Sequence, residues 1–182
     1  MKKELLTIIL LLTLVLNSYS QSELKKLEKG VCKIDHKCYT KYEYDDFENI
    51  WTYSVGFYET MLSKDGLTYV ITKYHEEKTD KKLILITFFA NATGCKSKDS
   101  YVHIQFKNGE KLKIGAYDGN TQCGVSYLTI SISDYMDILE KEPIDKIRIN
   151  IEVNDDFIIT EKGQNKLFNN LKCIDSVDLS KK

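Results

Sequence analysis

The chain has 182 residues, 26 basic and 27 acidic, for a formal charge of −1, a length that suits one domain behind a leader. A balance so near neutral supplies no long-range field for polyanions. Arg148 is the sole arginine, where phosphate or guanine recognition wants several bidentate forks, so nucleic-acid binding is not expected.

The N-terminus runs from Lys2 and Lys3 through an apolar stretch, Leu5 to Leu16, to the small and polar residues Asn17, Ser18, Tyr19 and Ser20. This is the order of an export signal. As a helix the apolar stretch reaches ~18 Å, against a hydrocarbon core of roughly 30 Å, which is too short for a membrane anchor. The expectation is a signal peptide over 1–20, cut after Ser20, and a mature chain of 162 residues and charge −2 without a stable membrane span. The first cysteine is Cys32, too far from the cut to carry a lipid, so the expected product is periplasmic or extracellular and not a lipoprotein.

Beyond the leader, 22–30 reads as a short helix with Ser22 as N-cap and Gly30 at its stop. Residues 31–48 mix tyrosines with lysines and acids at no single period and read as a loop or irregular edge, so 21–48 forms an N-terminal segment ahead of one β-rich domain over 49–182. From Ile50 the period becomes two, with Trp51, Tyr53, Val55 and Phe57 on the face expected to be buried. Asp65-Gly66 turns the chain into a strand over 67–74. A polar turn at 79–81 follows, then a run over 83–90 that is apolar on both faces, as a strand packed on each side would be.

The hairpin after residue 101 is decided by side-chain period. A two-residue Asn108-Gly109 loop would set Gln105 opposite Leu112 and Phe106 opposite Lys111, mixing faces. A three-residue loop, Lys107-Asn108-Gly109, pairs Ile104 with Leu112 and Val102 with Ile114, and requires Gly109 at positive φ. A strand over 125–132 comes next, then a helix capped by Ser133 and closed by Pro143. A half-exposed strand carrying Ile147, Ile149, Ile151 and Val153 leads to a short one at 157–159. Last is a helix from about 161 to 173 with the stripe Leu167, Phe168, Leu171 and Ile174, its first turn weakened by Gly163. The expected fold is α+β, mainly antiparallel, with seven or eight strands in one sheet or a two-layer sandwich and two C-terminal helices.

Five cysteines in an exported chain point to disulfides. Cys95 and Cys123 fall at the ends of strands that can be neighbours, and are the first-choice bridge. Cys32 and Cys38 either join each other or give one partner to Cys173, which is otherwise a free core thiol. With His36 the two thiols could hold a soft metal, but the spacing is not that of a zinc module and no fourth ligand stands near, so no metal is expected.

The three histidines are His36, His75 and His103, the last two read as surface strand residues. No nucleophile elbow, zinc helix, phosphate loop or calcium loop appears. No catalytic residue and no cofactor is therefore expected. Aromatic residues, by contrast, crowd into 39–74. Tyr39, Tyr42, Tyr44, Trp51 and Tyr58 are the expected binding residues, because such side chains give large amphipathic contact area at low entropic cost. The leading expectation is a non-catalytic exported module for a protein or glycan partner. The alternatives are a periplasmic inhibitor or immunity protein that blocks an enzyme, and a small hydrolase whose carboxylates meet without a motif.

Overall fold

The computed structural model describes residues 30–32, 38–45, 48–56 and 61–177. The expected leader and the helix expected from residue 22 lie outside them, apart from Gly30, which is in a strand. The described residues form two antiparallel sheets and two helices, with strands numbered in chain order. The larger sheet runs β1 (Gly30–Cys32), β2 (Cys38–Asp45), β3 (Ile50–Val55), β4 (Thr68–Glu76), β5 (Lys81–Lys96) and β8 (Gln122–Ser131). The smaller runs β10 (Val153–Ile158), β9 (Ile144–Ile151), β6 (Tyr101–Phe106) and β7 (Lys111–Gly115). Ten strands exceed the seven or eight expected, chiefly because β1 and β2 fall in the segment expected as loop or irregular edge.

The β6–β7 hairpin adopts the three-residue register. Ile104 faces Leu112 and Val102 faces Ile114, and Gly109 stands at φ 90°. The alternative register would have turned this apolar face to water, and that cost selects the loop. β6 also pairs with β9, setting Ile104 beside Ile147 and Val102 beside Ile149. The inner face of the small sheet is thus a block of aliphatic side chains, with Val102, Ile104, Ile147 and Ile149 each 2 % exposed or less, and burying each of these contributes about 1.5–3 kcal/mol before entropy is counted.

That block packs against Ile84, Ile86 and Phe88 of β5 and Leu128 and Ile130 of β8, all in one core. The rest of the large sheet's inner face is covered by helix α2 (Glu161–Asp175), which contacts β2, β3 and β4. β5 is apolar on both faces, and its second side carries Leu85, only 8 % exposed, Thr87, whose hydroxyl is 2.9 Å from that of Thr129, and Phe89, whose ring centroid is 6.2 Å from that of Tyr127.

Of the two C-terminal helices, the first is only a 3-10 turn, Ser133–Tyr135, followed by the single-turn α1, Met136–Leu139. Ser133 does not cap it. Its Oγ accepts the Ile84 N–H at 2.9 Å instead, tying the turn to β5. α2 is capped by Thr160, whose Oγ1 accepts the Gly163 N–H at 3.0 Å and donates to the Leu62 carbonyl at 3.2 Å. Thr160→Ala removes both bonds and is expected to cost about 1 kcal/mol, measured as a lower urea midpoint with unchanged slope.

The other end of α2 is closed by Lys73, which is only 6 % exposed. Its ammonium donates to the carbonyls of Ile174 at 3.2 Å, Asp175 at 3.1 Å and Val177 at 3.5 Å. A buried cation is tolerable there because the last carbonyls of the helix keep acceptor capacity and carry the negative end of the dipole. Asn170 donates to the Tyr69 hydroxyl at 2.7 Å, a second tie from helix to sheet.

Cys95 and Cys123 are joined, linking β5 to β8 beyond the regular part of their ladder. Cys173 is 1 % exposed and disulfide-bonded rather than a free core thiol, and its partner lies outside the described side chains. In the backbone, Cys32 and Cys38 stand opposite one another across β1 and β2.

Candidate functional site

Residues 38–45 form a strand because their alternation, hidden among charges, has a partner to satisfy it. Tyr42 and Tyr44 point to one face while Glu43 and Asp45 are exposed on the other. Tyrosine and threonine suit a half-buried pleat, and β3 supplies the other half. Antiparallel pairing places Tyr42 directly opposite Tyr53 and Tyr44 directly opposite Trp51. Four aromatic side chains therefore share one face of two neighbouring strands, the arrangement in which cross-strand pairs contribute most.

The geometry is a ladder. The Tyr44 and Trp51 ring centroids are 4.6 Å apart, Tyr42 is 6.2 Å from Trp51 and 6.3 Å from Tyr53, and Trp51 stacks on Tyr53 at 6.1 Å and 26°. Each of the four residues is half-buried, and Tyr53 also packs against the hydrophobic core. Glu77, just past the end of β4, holds the outer rung. Its Oε1 accepts the Trp51 indole N–H at 2.9 Å and its Oε2 accepts the Tyr44 hydroxyl at 3.3 Å. Asn49 Oδ1 offers that hydroxyl a second acceptor at 3.5 Å. Burial, then the neighbouring Tyr42 and Glu77, push the Tyr53 phenol above its ordinary value, so it stays a neutral donor.

Of the expected binding residues, the structure brings Tyr42, Tyr44 and Trp51 together. Tyr39 lies in β2 opposite Val31, with its side chain outside the described set, and Tyr58 falls outside the described residues. Tyr53, expected on the buried face, does pack against the core and also joins the ladder, whereas Glu77 carries no signal in the sequence, because only the β3–β4 pairing brings it to the indole.

His75, opposite Trp51 on β4, is more enclosed than a surface reading allows, its side chain being 12 % exposed. Its Nε2 lies 2.8 Å from Asp80 Oδ1. That hydrogen bond, and then Lys82, hold the Asp80 carboxyl below the usual range. Among the described residues no three His, Cys, Asp or Glu side chains gather as a metal would require, and no described helix is long and apolar enough to cross a membrane. What the ladder offers chemically is flat π surface edged by tyrosine hydroxyls, with the indole N–H already taken by Glu77. That surface suits stacking and hydrogen bonding.

No protein family, no characterised protein and no solved structure matches the chain.

Proposed function

We propose that the chain is a non-catalytic binding module, acting outside the cytoplasm, that takes a protein or glycan partner on the aromatic ladder. The observation that carries this reading is the set of four half-buried rings across β2 and β3, two of them clamped by the Glu77 carboxylate. Rings already held in place lose little conformational freedom on association, so more of their contact area becomes affinity. Export is supported by the Cys95–Cys123 bridge, a bond that persists in oxidising compartments.

Trp51 is the only tryptophan, so its fluorescence reports on the ladder alone. Titration of the mature chain with soluble oligosaccharides and with fractionated envelope proteins is expected to shift or quench that emission for the true partner class. A companion variant with Tyr42, Tyr44 and Tyr53 replaced by alanine is expected to lose capture by about tenfold or more, since a central aromatic commonly contributes 2 kcal/mol or above. Partner capture that survives the triple substitution, with no emission change in the parent, would sink the reading.

A further inference from the structure

The outer face of the small sheet is a second, chemically different surface. On β6 the residues that alternate outward are Tyr101, His103 and Gln105, because Val102, Ile104 and Phe106 are buried. The ladder registers them against charge on both sides. His103 stands opposite Lys113 of β7 and Arg148 of β9, and Gln105 stands opposite Lys111 of β7 and Lys146 of β9. A cleft of about 120 Å3 opens among them, lined by His103, Gln105, Lys111, Lys146, Arg148 and Asp156. Three cations thus face one carboxylate, in a chain whose overall charge is close to zero.

The carboxylate organises the cations rather than cancelling them. Asp156 accepts from Arg148 Nε and from Nη2 at 2.8 Å, and from Lys146 Nζ at 2.8 Å. One edge of the guanidinium is thereby fixed, and its Nη1 edge remains for another acceptor in the fork geometry that suits oxyanions. Arg148 Nε and Nη2 lower the Asp156 carboxyl far below its usual range, so it stays ionised and the fork stays oriented. Lys113 lies with its ammonium 4.0 Å from the centre of the Tyr101 ring, and Tyr101 packs on His103 with centroids 4.9 Å apart.

We infer that this cleft binds a tetrahedral oxyanion, the phosphate or sulfate of a partner molecule, between Lys111, Lys146, Arg148 and His103. The site is separate from the aromatic ladder and independent of it, being built on the other sheet. His103 supplies the readout. Burial first, then Lys113, Arg148 and Lys111, hold its imidazole below the ordinary value, while Asp156 stands beyond Arg148 in the ladder and Tyr101 and Gln105 are its uncharged neighbours along β6. An anion seated there offsets the local positive field and favours the imidazolium, so binding of an anion that stays fully ionised, such as sulfate, takes up a proton at His103 and strengthens as pH falls.

The test is an NMR titration of the His103 ring in the mature chain, with inorganic phosphate and with inorganic sulfate. Sodium chloride at equal ionic strength is the reference. Either oxyanion is expected to raise the His103 pKa by about one unit, the size of a single nearby opposite charge. Exposed Lys111 replaced in Lys111→Gln, combined with Lys146→Gln, is expected to weaken binding about tenfold while leaving the fold's chemical shifts in place. Two further arms separate the sources of the anion. A response to glucose 6-phosphate without sedimentation on phosphatidic acid vesicles assigns a soluble ester, and sedimentation that the double substitution abolishes assigns a lipid headgroup. Equal responses to phosphate, sulfate and chloride, or full phosphate affinity in the double variant, would overturn the inference.

Discussion

Replacing Cys95 and Cys123 together by alanine is expected to lower the unfolding free energy by roughly 3.5 kcal/mol, the chain-entropy value for the closed loop. The bridge spans a sequence separation of 28, and that loop contains the whole β6–β7 hairpin on which the small sheet is built. Without it, the unfolded chain gains freedom while the folded one keeps the β5–β8 ladder. The loss is a large share of a net stability of about 5–15 kcal/mol. Substitution is a cleaner probe than reductant, because a reductant would also open the bond at Cys173. The measurement is urea denaturation of parent and double variant under oxidising conditions, and a difference below about 1 kcal/mol would contradict the account.

Close to the bridge, the structure has few ways to relax. Lys96 is 2 % exposed, donates to both Asp118 oxygens at 2.8 and 3.0 Å and lies 4.9 Å from the centre of the Tyr127 ring. A Cβ on Gly94 would run into the Ile151 carbonyl of β9. The bulged end of β5 therefore lies close against the backbone of β9, and the disulfide fixes that end.

Gly163→Ala is the second large effect, and its sign is opposite to the one helix propensity suggests. Alanine in place of glycine favours a helix by about 1 kcal/mol. Here the added Cβ would stand 2.7 Å from the Leu62 Cα and 2.8 Å from its carbonyl carbon, closer than such atoms pack. Leu62 cannot retreat. Its N–H bonds the Leu67 carbonyl at 2.7 Å, its carbonyl accepts from Thr160 N–H at 3.0 Å, and its side chain is fully buried. Overpacking against fixed backbone typically costs 1–3 kcal/mol, and with three Leu62 backbone atoms crowding the added carbon the cost here falls at the top of that range, so after the ~1 kcal/mol gain in helix propensity the net expectation is about 2 kcal/mol of destabilisation. Calorimetry should record a fall in Tm of roughly 6 °C. Gly115→Ala, with nothing within 4 Å of its added carbon, is the control expected to leave Tm near the parent's. A Gly163→Ala variant as stable as the parent would mean that Leu62 yields.

These two sites show what local reading does and does not reach. A weak first turn is the natural inference from Gly163 when only the helix is considered, whereas the residue is required by a loop a hundred positions earlier. Ser133 has the same character. It has the composition of an N-cap, yet its hydroxyl is taken by Ile84, and the helix it precedes shrinks to a single turn.

The aromatic site divides in the same way. Composition shows that 39–58 is rich in tyrosine and tryptophan, and period shows that Trp51 and Tyr53 share a face. The period of β2 is masked by Lys41 and the acids that alternate with its tyrosines, of which Glu43 and Asp45 are exposed. Only pairing with β3 reveals that Tyr42 and Tyr44 belong beside Tyr53 and Trp51. The cleft on the small sheet is a still plainer case, since Lys111, Lys146, Arg148 and His103 are ordinary outward residues on three strands until registration brings them together.

By itself the sequence determined the elements whose side-chain period is strong: β3, β4, β5, the β6–β7 hairpin with its three-residue loop, β9 and the long final helix. A misregistered strand there would turn its whole apolar set to water, so local pattern suffices. Tertiary structure alone decided the split into two sheets, the conversion of 38–45 into a strand, the grouping of four rings under Glu77, and the convergence of charge around Arg148. Those outcomes depend on which strands lie side by side, and a single chain's periodicity carries no information about its neighbours.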